Sequence, residues 1–379
     1  MFGKESPLDV VTRSAGLVDS PIPKKLFDGG RRGDIKASKK GFHVMLSCAG
    51  RRNFLVDCFQ EALGDSGDVL VVDASADASA MIAAGTRGFL LPPLSDPRYF
   101  DALLARCQDS GVKLLLSLND FELPGLARHA GRFRRAGIIP VVSTPEIVDL
   151  CFDKWQTFIQ LGALGIPMPE TCLGLPPAKT ALGAGALNFP LVVKPRWGTG
   201  SIGVAIVRDE RELDLAYGWL ENTLARTALG SVGGAPIGES IIVQQALEGQ
   251  EFGVDIINDL EGNHRAVITK RKLAMRAGET DRAVTEPNEA VAALARAVGT
   301  ALKPRGLIDC DIFLTPRGPR LLDLNPRFGG GYPFSHAAGA NVPAALLAWA
   351  RGEPVNSEWL SARSGVVGAK YDKLIWRQD

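Results

Sequence analysis

The sequence predicts an α/β protein whose character changes once, near residue 189, and three observations carry that reading. Up to residue 143, short apolar runs alternate with stretches of helical period, the pattern of βαβ units on a parallel sheet. Residues 173–188 are then rich in Pro, Gly and Ala. From Pro190 the strands are linked by glycine-rich and hairpin-like turns.

Order is expected from about Phe42. Phe42–Ser47 is a short apolar strand, Gly50 ends it, and Asn53–Leu63 has helical spacing. Val69–Val72 is a second strand closing on Asp73, and Phe89–Leu91 a third. Asp96-Pro97 opens a helix to about Gln108. Val112–Leu118 is a strand closing on Asn119-Asp120, followed by a helix over Glu122–Ala136 and a strand over Ile138–Val142. In parallel sheets ligands gather at the carboxyl ends of strands. Arg51, Asp73, Asp120 and Glu122 fall there, as ligand contacts or as helix caps.

Thr144-Pro145-Glu146 begins a helix that runs through Lys154-Trp155, and a second continues to Leu164, where Gly165-Ile166-Pro167 breaks it. Leu191–Pro195 is a strand, Val204–Val207 another, Arg211–Leu224 a helix and Ile241–Gln245 a strand. Glu251–Ile257 and Ala266–Lys270 alternate and are joined by a turn, as in a hairpin. A helix over Glu289–Leu302, strands over Leu307–Leu314 and Pro319–Leu324, and a last helix over Asn341–Gly352 complete the series.

Composition narrows the function. Lys plus Arg number 43 against 42 Asp plus Glu, so there is no overall field to draw nucleic acid or a membrane surface, and anions must be held locally. None of the six cysteines forms a C-x-x-C pair, which argues for reduced thiols in a cytoplasmic protein rather than zinc. No apolar run reaches the length of a membrane span, and the first 40 residues lack the apolar core of a signal peptide. Those residues hold nine Lys/Arg against five Asp/Glu and are expected to be a flexible leader.

Three blocks carry chemistry. Gly198-Thr199-Gly200-Ser201-Ile202-Gly203 matches G-x-G-x-x-G, but a strand rather than a helix follows it. It is therefore a glycine hairpin able to close over phosphates with its backbone N–H groups, not a dinucleotide turn. A plain flexible turn would explain the glycines but not Lys194 in the apolar strand before it, where an unpaired ammonium is costly. Asp311 and Asp323 fall on neighbouring strands, and Asp323 and Asn325 share one face by the period of two. Such hard oxygens suit Mg²⁺ with nucleotide phosphates, and Arg327 beside them can grip a phosphoryl group with two donors. The charged run Lys270–Thr280 offers Lys272 and Arg276 as cations for developing charge.

In this order the blocks resemble the ATP-grasp superfamily, in particular its short carbamoyl-phosphate synthase large-subunit-like members. The residues that carry the likeness are Ser47-Cys48-Ala49-Gly50-Arg51-Arg52, Asp153-Lys154, Val193-Lys194-Pro195-Arg196, the Gly198 loop, Gln244-Gln245-Ala246-Leu247-Glu248-Gly249, Arg276-Ala277-Gly278-Glu279, and Asp323-Leu324-Asn325-Pro326-Arg327-Phe328-Gly329-Gly330-Gly331-Tyr332. The resemblance covers residues 41–355. It implies a leader (1–40), a Rossmann-like pre-ATP-grasp domain (41–143), a helical connector (144–188), a lid (189–246), a C-terminal ATP-grasp subdomain (247–355) and a tail (356–379).

It further implies ATP with one or two Mg²⁺ or Mn²⁺ ions. Lys154 and Lys194 would meet the phosphates and the adenine edge, Gln244, Gln245 and the Leu247 backbone the adenine, and Glu251 the ribose. Asp311, Asp323 and Asn325 would hold metal, and Arg327, with Arg276 and Lys272, the transferring phosphate. The family often has Glu at the position of Asp323 and Gln or Glu at that of Asp311, so the metals would sit slightly differently. The run Gly329–Pro333 would line the acceptor site, with His336 structural. The expected activity is carboxylate–amine ligation through an acyl-phosphate, on small-molecule substrates, by a homodimer. The two-unit carbamoyl-phosphate synthase reaction itself is not expected from one unit. The rivals are a biotin-carboxylase-like phosphorylation of bicarbonate and a non-catalytic ATP sensor.

Overall fold

The computed structural model describes residues 41–377 apart from residue 199 and residues 228–233, so the leader and Thr199 lie outside the described residues. The N-terminal part holds β1 (His43–Ser47), α1 (Asn53–Leu63), β2 (Val69–Asp73), α2 (Ser79–Ala84), β3 (Gly88–Leu90), α3 (Tyr99–Asp109), β4 (Val112–Ser117), α4 (Leu123–Arg135) and β5 (Ile139–Val141). All five strands are parallel, in the order β3-β2-β1-β4-β5. Alternation along β1 sends Val44 and Leu46 into one core and Met45 into the other, so helices cover both faces. The strand order reverses between β1 and β4, which opens a crevice at their carboxyl ends.

Two helices follow, α5 (Pro145–Phe152) and α6 (Lys154–Ala163), separated at Asp153. Asp153 has extended backbone angles and caps α6, its Oδ1 accepting from the N–H groups of Trp155 and Gln156. The stretch expected to be plain connector then forms β6 (Thr171–Leu173) and α7 (Leu175–Gly183). These join β7 (Leu191–Pro195), β8 (Ala205–Val207), α8 (Glu210–Leu224) and β9 (Ile241–Gln245) in a small domain. Its antiparallel sheet runs β6-β9-β7-β8, and α7 and α8 close its core through Ala178, Leu213, Tyr217 and Leu220. Burial of those side chains, rather than the poor helix propensity of a Pro- and Gly-rich run, decides that residues 175–183 are helical.

The largest sheet is antiparallel. It contains β10 (Gln250–Asn258), β11 (His264–Arg276), β12 (Glu279–Thr285), β13 (Gly306–Thr315), β14 (Gly318–Asn325) and β15 (Val367–Ala369), with α9 (Glu289–Leu302), α10 (Tyr332–Ala337) and α11 (Val342–Arg351) in the same part of the chain. The order is β14-β13-β10-β11-β12-β15. Residues 279–285 are a strand, and the tail adds an edge strand, both unforeseen in a charged run and a polar terminus. Val291, Ala295 and Val298 of α9 pack on Phe252, Val254 and Ile256 of β10 and on Ile308 and Cys310 of β13.

Candidate active site

Strand alternation builds the site. With Phe252, Val254 and Ile256 turned into the core, Glu251, Gly253 and Asp255 take the other face of β10. The same rule puts Asp309 and Asp311 opposite Ile308, Cys310 and Ile312 on β13. Register then pairs Asp311 with Asp323 and Asp309 with Asn325 across β13 and β14. Lys272 of β11 reaches between two of these carboxylates, 2.6 Å from Asp311 Oδ1 and 2.7 Å from Glu251 Oε1. Burial opposes the Lys272 charge, but Asp311 and Glu251 outweigh it and hold its pKa above the ordinary value. Burial raises the pKa of Glu251, with Lys272 opposing and Asp311 adding. Glu251, assigned to the ribose by resemblance, is thus engaged with Lys272.

Facing this sheet are the lid and α6. Lys154 Nζ donates to the Gly198 carbonyl (2.7 Å) and lies 3.8 Å from Asp323 Oδ1. Arg196 grips Asp153 with two bonds of 2.8 and 2.7 Å, which ties the start of α6 to the lid. Lys194 Nζ donates to Gln244 Oε1 (2.8 Å), and Gln244 Nε2 donates to Thr171 Oγ1 (2.8 Å). The glycine loop joins the antiparallel pair β7 and β8, as the hairpin reading requires. Gly198, Gly200, Ser201 and Gly203 all have positive φ there. The loop rests on the turn between β11 and β12, for a Cβ on Gly278 would lie 2.3 Å from the Gly200 carbonyl oxygen. A cavity between these walls is lined by residues that include Asp120, Cys151, Lys154, Gly198, Leu324 and Asn325.

Burial lowers the Lys194 pKa to about 8, with Asp323 opposing and Lys154 adding. A neutral amine attracts phosphate poorly, so ATP affinity should weaken as pH rises through about 8. The limiting slope is about tenfold in Kd per pH unit. Titration calorimetry between pH 6 and 10 reads this, and Lys194→Met should bind weakly with that slope removed. An unchanged slope in the variant would assign the titration to another group.

Arg327 leaves the end of β14 and joins the domains. Its Nη2 lies 2.6 Å from Asp120 Oδ2, at the carboxyl end of β4, and its Nη1 lies 3.9 Å from Asp309 Oδ2. Burial opposes its charge, but Asp120 and then Asp309 raise its pKa. Its buried Nε–H has no hydrogen-bond partner among the described residues. Asp309, given no role from the sequence, is pushed up to about 6 by burial and by Asp311. A Cβ on Gly329 would sit 1.9 Å from its carboxyl carbon, so only glycine lets that loop pass. The period of two from Asp311 is the sequence signal that could have singled Asp309 out. Beneath the glycines Lys270 Nζ pairs with Asp255 Oδ2 at 2.5 Å and donates to Ser335 Oγ at 3.0 Å. Ser335 also bonds Asp255, and no periodicity argument reached this buried trio.

Other expectations are corrected. Gln245 follows Gln244 in the strand and so turns the other way. Its amide donates to the Pro190 carbonyl and accepts from Asn188 N–H, away from Lys194. Leu247 is half-buried on the crossing from lid to large sheet. Arg276 sits at the hairpin tip, 3.0 Å from Asp281 and 2.6 Å from Asp372 of the tail, instead of standing free for phosphate. Of the strand-end residues only Asp120 meets Arg327. Asp73 accepts from Gly50 N–H and Ser75 N–H, and Arg51 lies 3.8 Å from Asp372. Glu122 is buried under Ser47, Ser117 and Tyr99, each donating to it, and burial raises its pKa. His336 contacts Tyr332 and Glu61. No group of three or more His, Cys, Asp or Glu side chains gathers as a metal site among the described residues. Asp311, Asp323 and Asn325 do fit Mg²⁺, which takes one or two carboxylates and completes its shell with phosphate oxygens and water.

Parallel crevice, lid and antiparallel sheet together make an ATP-grasp fold, and family models match the chain in two stretches. Residues 44–142 match the model of the PylC-like N-terminal domain, and residues 238–372 the model described as ATP-grasp in the biosynthetic pathway with Ter operon. The large chain of carbamoyl phosphate synthase from Thermus thermophilus is 33% identical over 49% of this chain and 18% of its own length. Carnosine synthase 1 of Gallus gallus is 28% identical over 44% of this chain and 19% of its own. The chain thus spans less than a fifth of these relatives. The L-amino acid ligase from Bacillus licheniformis superposes with a TM-score of 0.65 at 20% identity, over 86% of this chain and 79% of that one, which establishes the fold. No helix among the described residues is long and apolar enough to cross a membrane.

Proposed function

We propose that this chain is an ATP-dependent carboxylate–amine ligase. The observation that carries the reading is one arrangement of charge. Lys154 and Lys194 stand under the glycine loop, opposite a sheet face bearing Asp311, Asp323 and Asn325, with Arg327 beside it. Catalysis of phosphoryl transfer is mainly positioning and charge stabilisation, and these residues provide both.

In the proposed reaction a carboxylate oxygen attacks the γ-phosphorus of ATP and the bond to the β-bridging oxygen breaks, giving ADP and an acyl-phosphate. The neutral amine attacks the acyl carbon, the C–O bond to phosphate breaks, and the amine proton passes to solvent. Carboxylate, ammonium and ATP become amide, ADP, phosphate and one proton. Lys154 and Lys194 hold the phosphates, the glycine loop excludes water, and the Arg327 guanidinium binds the transferring phosphoryl oxygens. Bound Mg²⁺ on Asp311, Asp323 and Asn325 would neutralise phosphate charge. The names of carnosine synthase 1 and the L-amino acid ligase support amino acids as substrates.

The test is ADP release from Mg·ATP across amino acids and small carboxylic acids, singly and in pairs, with mass detection. A pair that releases ADP and yields the mass of both minus water supports the reading. Bicarbonate-stimulated hydrolysis without an amine, or ATP binding with no ADP for any pair, overturns it.

A further inference from the structure

Residues 370–377 run from the edge of the large sheet to the parallel domain. Where β15 pairs with β12, the Lys370 N–H donates to the Asp281 carbonyl (2.8 Å) and Lys370 Nζ lies 3.1 Å from Glu279 Oε2. Asp372 Oδ2 then lies 2.6 Å from Arg276 Nη1, at the tip of the β11–β12 hairpin, and its Oδ1 lies 3.8 Å from Arg51 Nη2, in the loop after β1. Arg377 reaches the loop after β2, 3.5 Å from Asp77 Oδ1 and 3.4 Å from the Ala76 carbonyl oxygen. One short segment thus touches the large sheet and the loops at the carboxyl ends of two parallel strands.

Two close approaches place this segment at the site. The glycine floor of the site is Gly329–Gly331, and a Cβ on Gly330 would lie 3.0 Å from Glu279 Oε2 and 3.3 Å from Lys370 Nζ. The hairpin tip that Asp372 holds also carries Gly278, against which the Gly200 carbonyl of the glycine loop rests. The hold on the segment is by charge. Tyr371, Leu374 and Trp376 are 80%, 79% and 77% exposed, so none of these apolar side chains is buried to fix its path. Residues 370–377 form no helix or strand, so no ladder offsets the entropy of ordering them. Arg51, Asp77, Arg276, Asp372 and Arg377 are exposed, and exposed ion pairs contribute little and are screened by salt.

We propose that residues 370–377 are a strap that gates the site. Closed, it covers the end of the cleft at the glycine floor and steadies the hairpin on which the glycine loop is seated. Released, it lets small molecules in and out. The strap rests on the nucleotide half of the proposed function and leaves the carboxylate and the amine open. A gate that closes equally with and without nucleotide sets the rates of entry and exit and leaves their ratio alone.

The experiment follows N-methylanthraniloyl-ADP with Mg²⁺ by stopped flow. It compares the full chain, Asp372→Ala, Asp372→Glu and a chain lacking residues 370–379. Asp372→Ala should raise both the association and the release rate by about 2- to 5-fold, the range that one exposed ion pair allows. Removing residues 370–379 takes away the pairs of Lys370, Asp372 and Arg377 together and should raise both rates by about 10-fold. Kd should hold in each case, and Asp372→Glu should keep the rates of the full chain. Added NaCl should bring the release rate of the full chain toward that of the shortened one, a ratio from which the salt dependence of phosphate binding itself cancels. Unchanged rates in Asp372→Ala and in the shortened chain overturn the strap. A release rate that rises together with Kd while association holds also overturns it, because that pattern is damage to the site rather than loss of a gate. A full chain that binds no nucleotide overturns the nucleotide reading and the strap with it. Amide synthesis plays no part in the readout, so failure of the ligase reading alone leaves the result standing.

Discussion

Replacing Arg327 with lysine is expected to lower kcat by about 10²- to 10³-fold, the usual effect of removing one donor aimed at developing charge. Lysine keeps a positive charge near Asp120 but loses the planar fork. It also loses the buried Nε–H, a donor with no partner among the described residues that a phosphoryl oxygen would satisfy. ATP should still bind, because Lys154 and Lys194 stand on other elements. Arg327→Ala should do more damage, since it also removes the guanidinium that pairs with the buried Asp120 carboxylate. Breaking a buried pair by removing one partner costs about 3–5 kcal/mol. Steady-state ADP release together with calorimetric ATP binding separates these effects. A lysine variant whose ATP affinity falls as far as its turnover would remove Arg327 from the transition state.

Lys270→Met should give the largest loss of stability. Lys270 and Asp255 are 1% and 0% exposed, and Asp255 Oδ1 has no hydrogen-bond partner among the described residues. Methionine leaves the carboxylate without its cation at a cost of about 3–5 kcal/mol. The double variant Lys270→Met with Asp255→Leu should regain most of that loss, because an apolar pair of similar volume needs no desolvation of charge. Urea midpoints of the three proteins decide it. Equal midpoints for wild type and the single variant would mean that the trio contributes no net stability. The trio also anchors α10 through Ser335, directly after the glycine floor, so loss of stability and loss of activity should run together.

How much of this was legible in the sequence follows from the range of each interaction. The parallel domain was readable because its strands are nearly continuous apolar runs and its helices carry clear punctuation. The glycine hairpin was readable because a strand followed it, and its backbone does take positive φ at Gly198, Gly200 and Gly203. The face shared by Asp323 and Asn325 was readable because the period of two is a local property of a strand, whereas the register that pairs Asp311 with Asp323 was not.

Tertiary structure decided the rest. The helix at Leu175–Gly183 exists because Ala178 finds a core, which no local propensity encodes. Arg276 looked free for phosphate, yet Asp372, 96 residues further on, lies against it. Arg327 meets Asp120 across 207 residues. The sequence by itself determined the residue types, the strand faces and the superfamily, all products of short-range periodicity. Which charges are matched was decided only when the parallel and antiparallel sheets came together, because ion pairing depends on distance in space rather than along the chain.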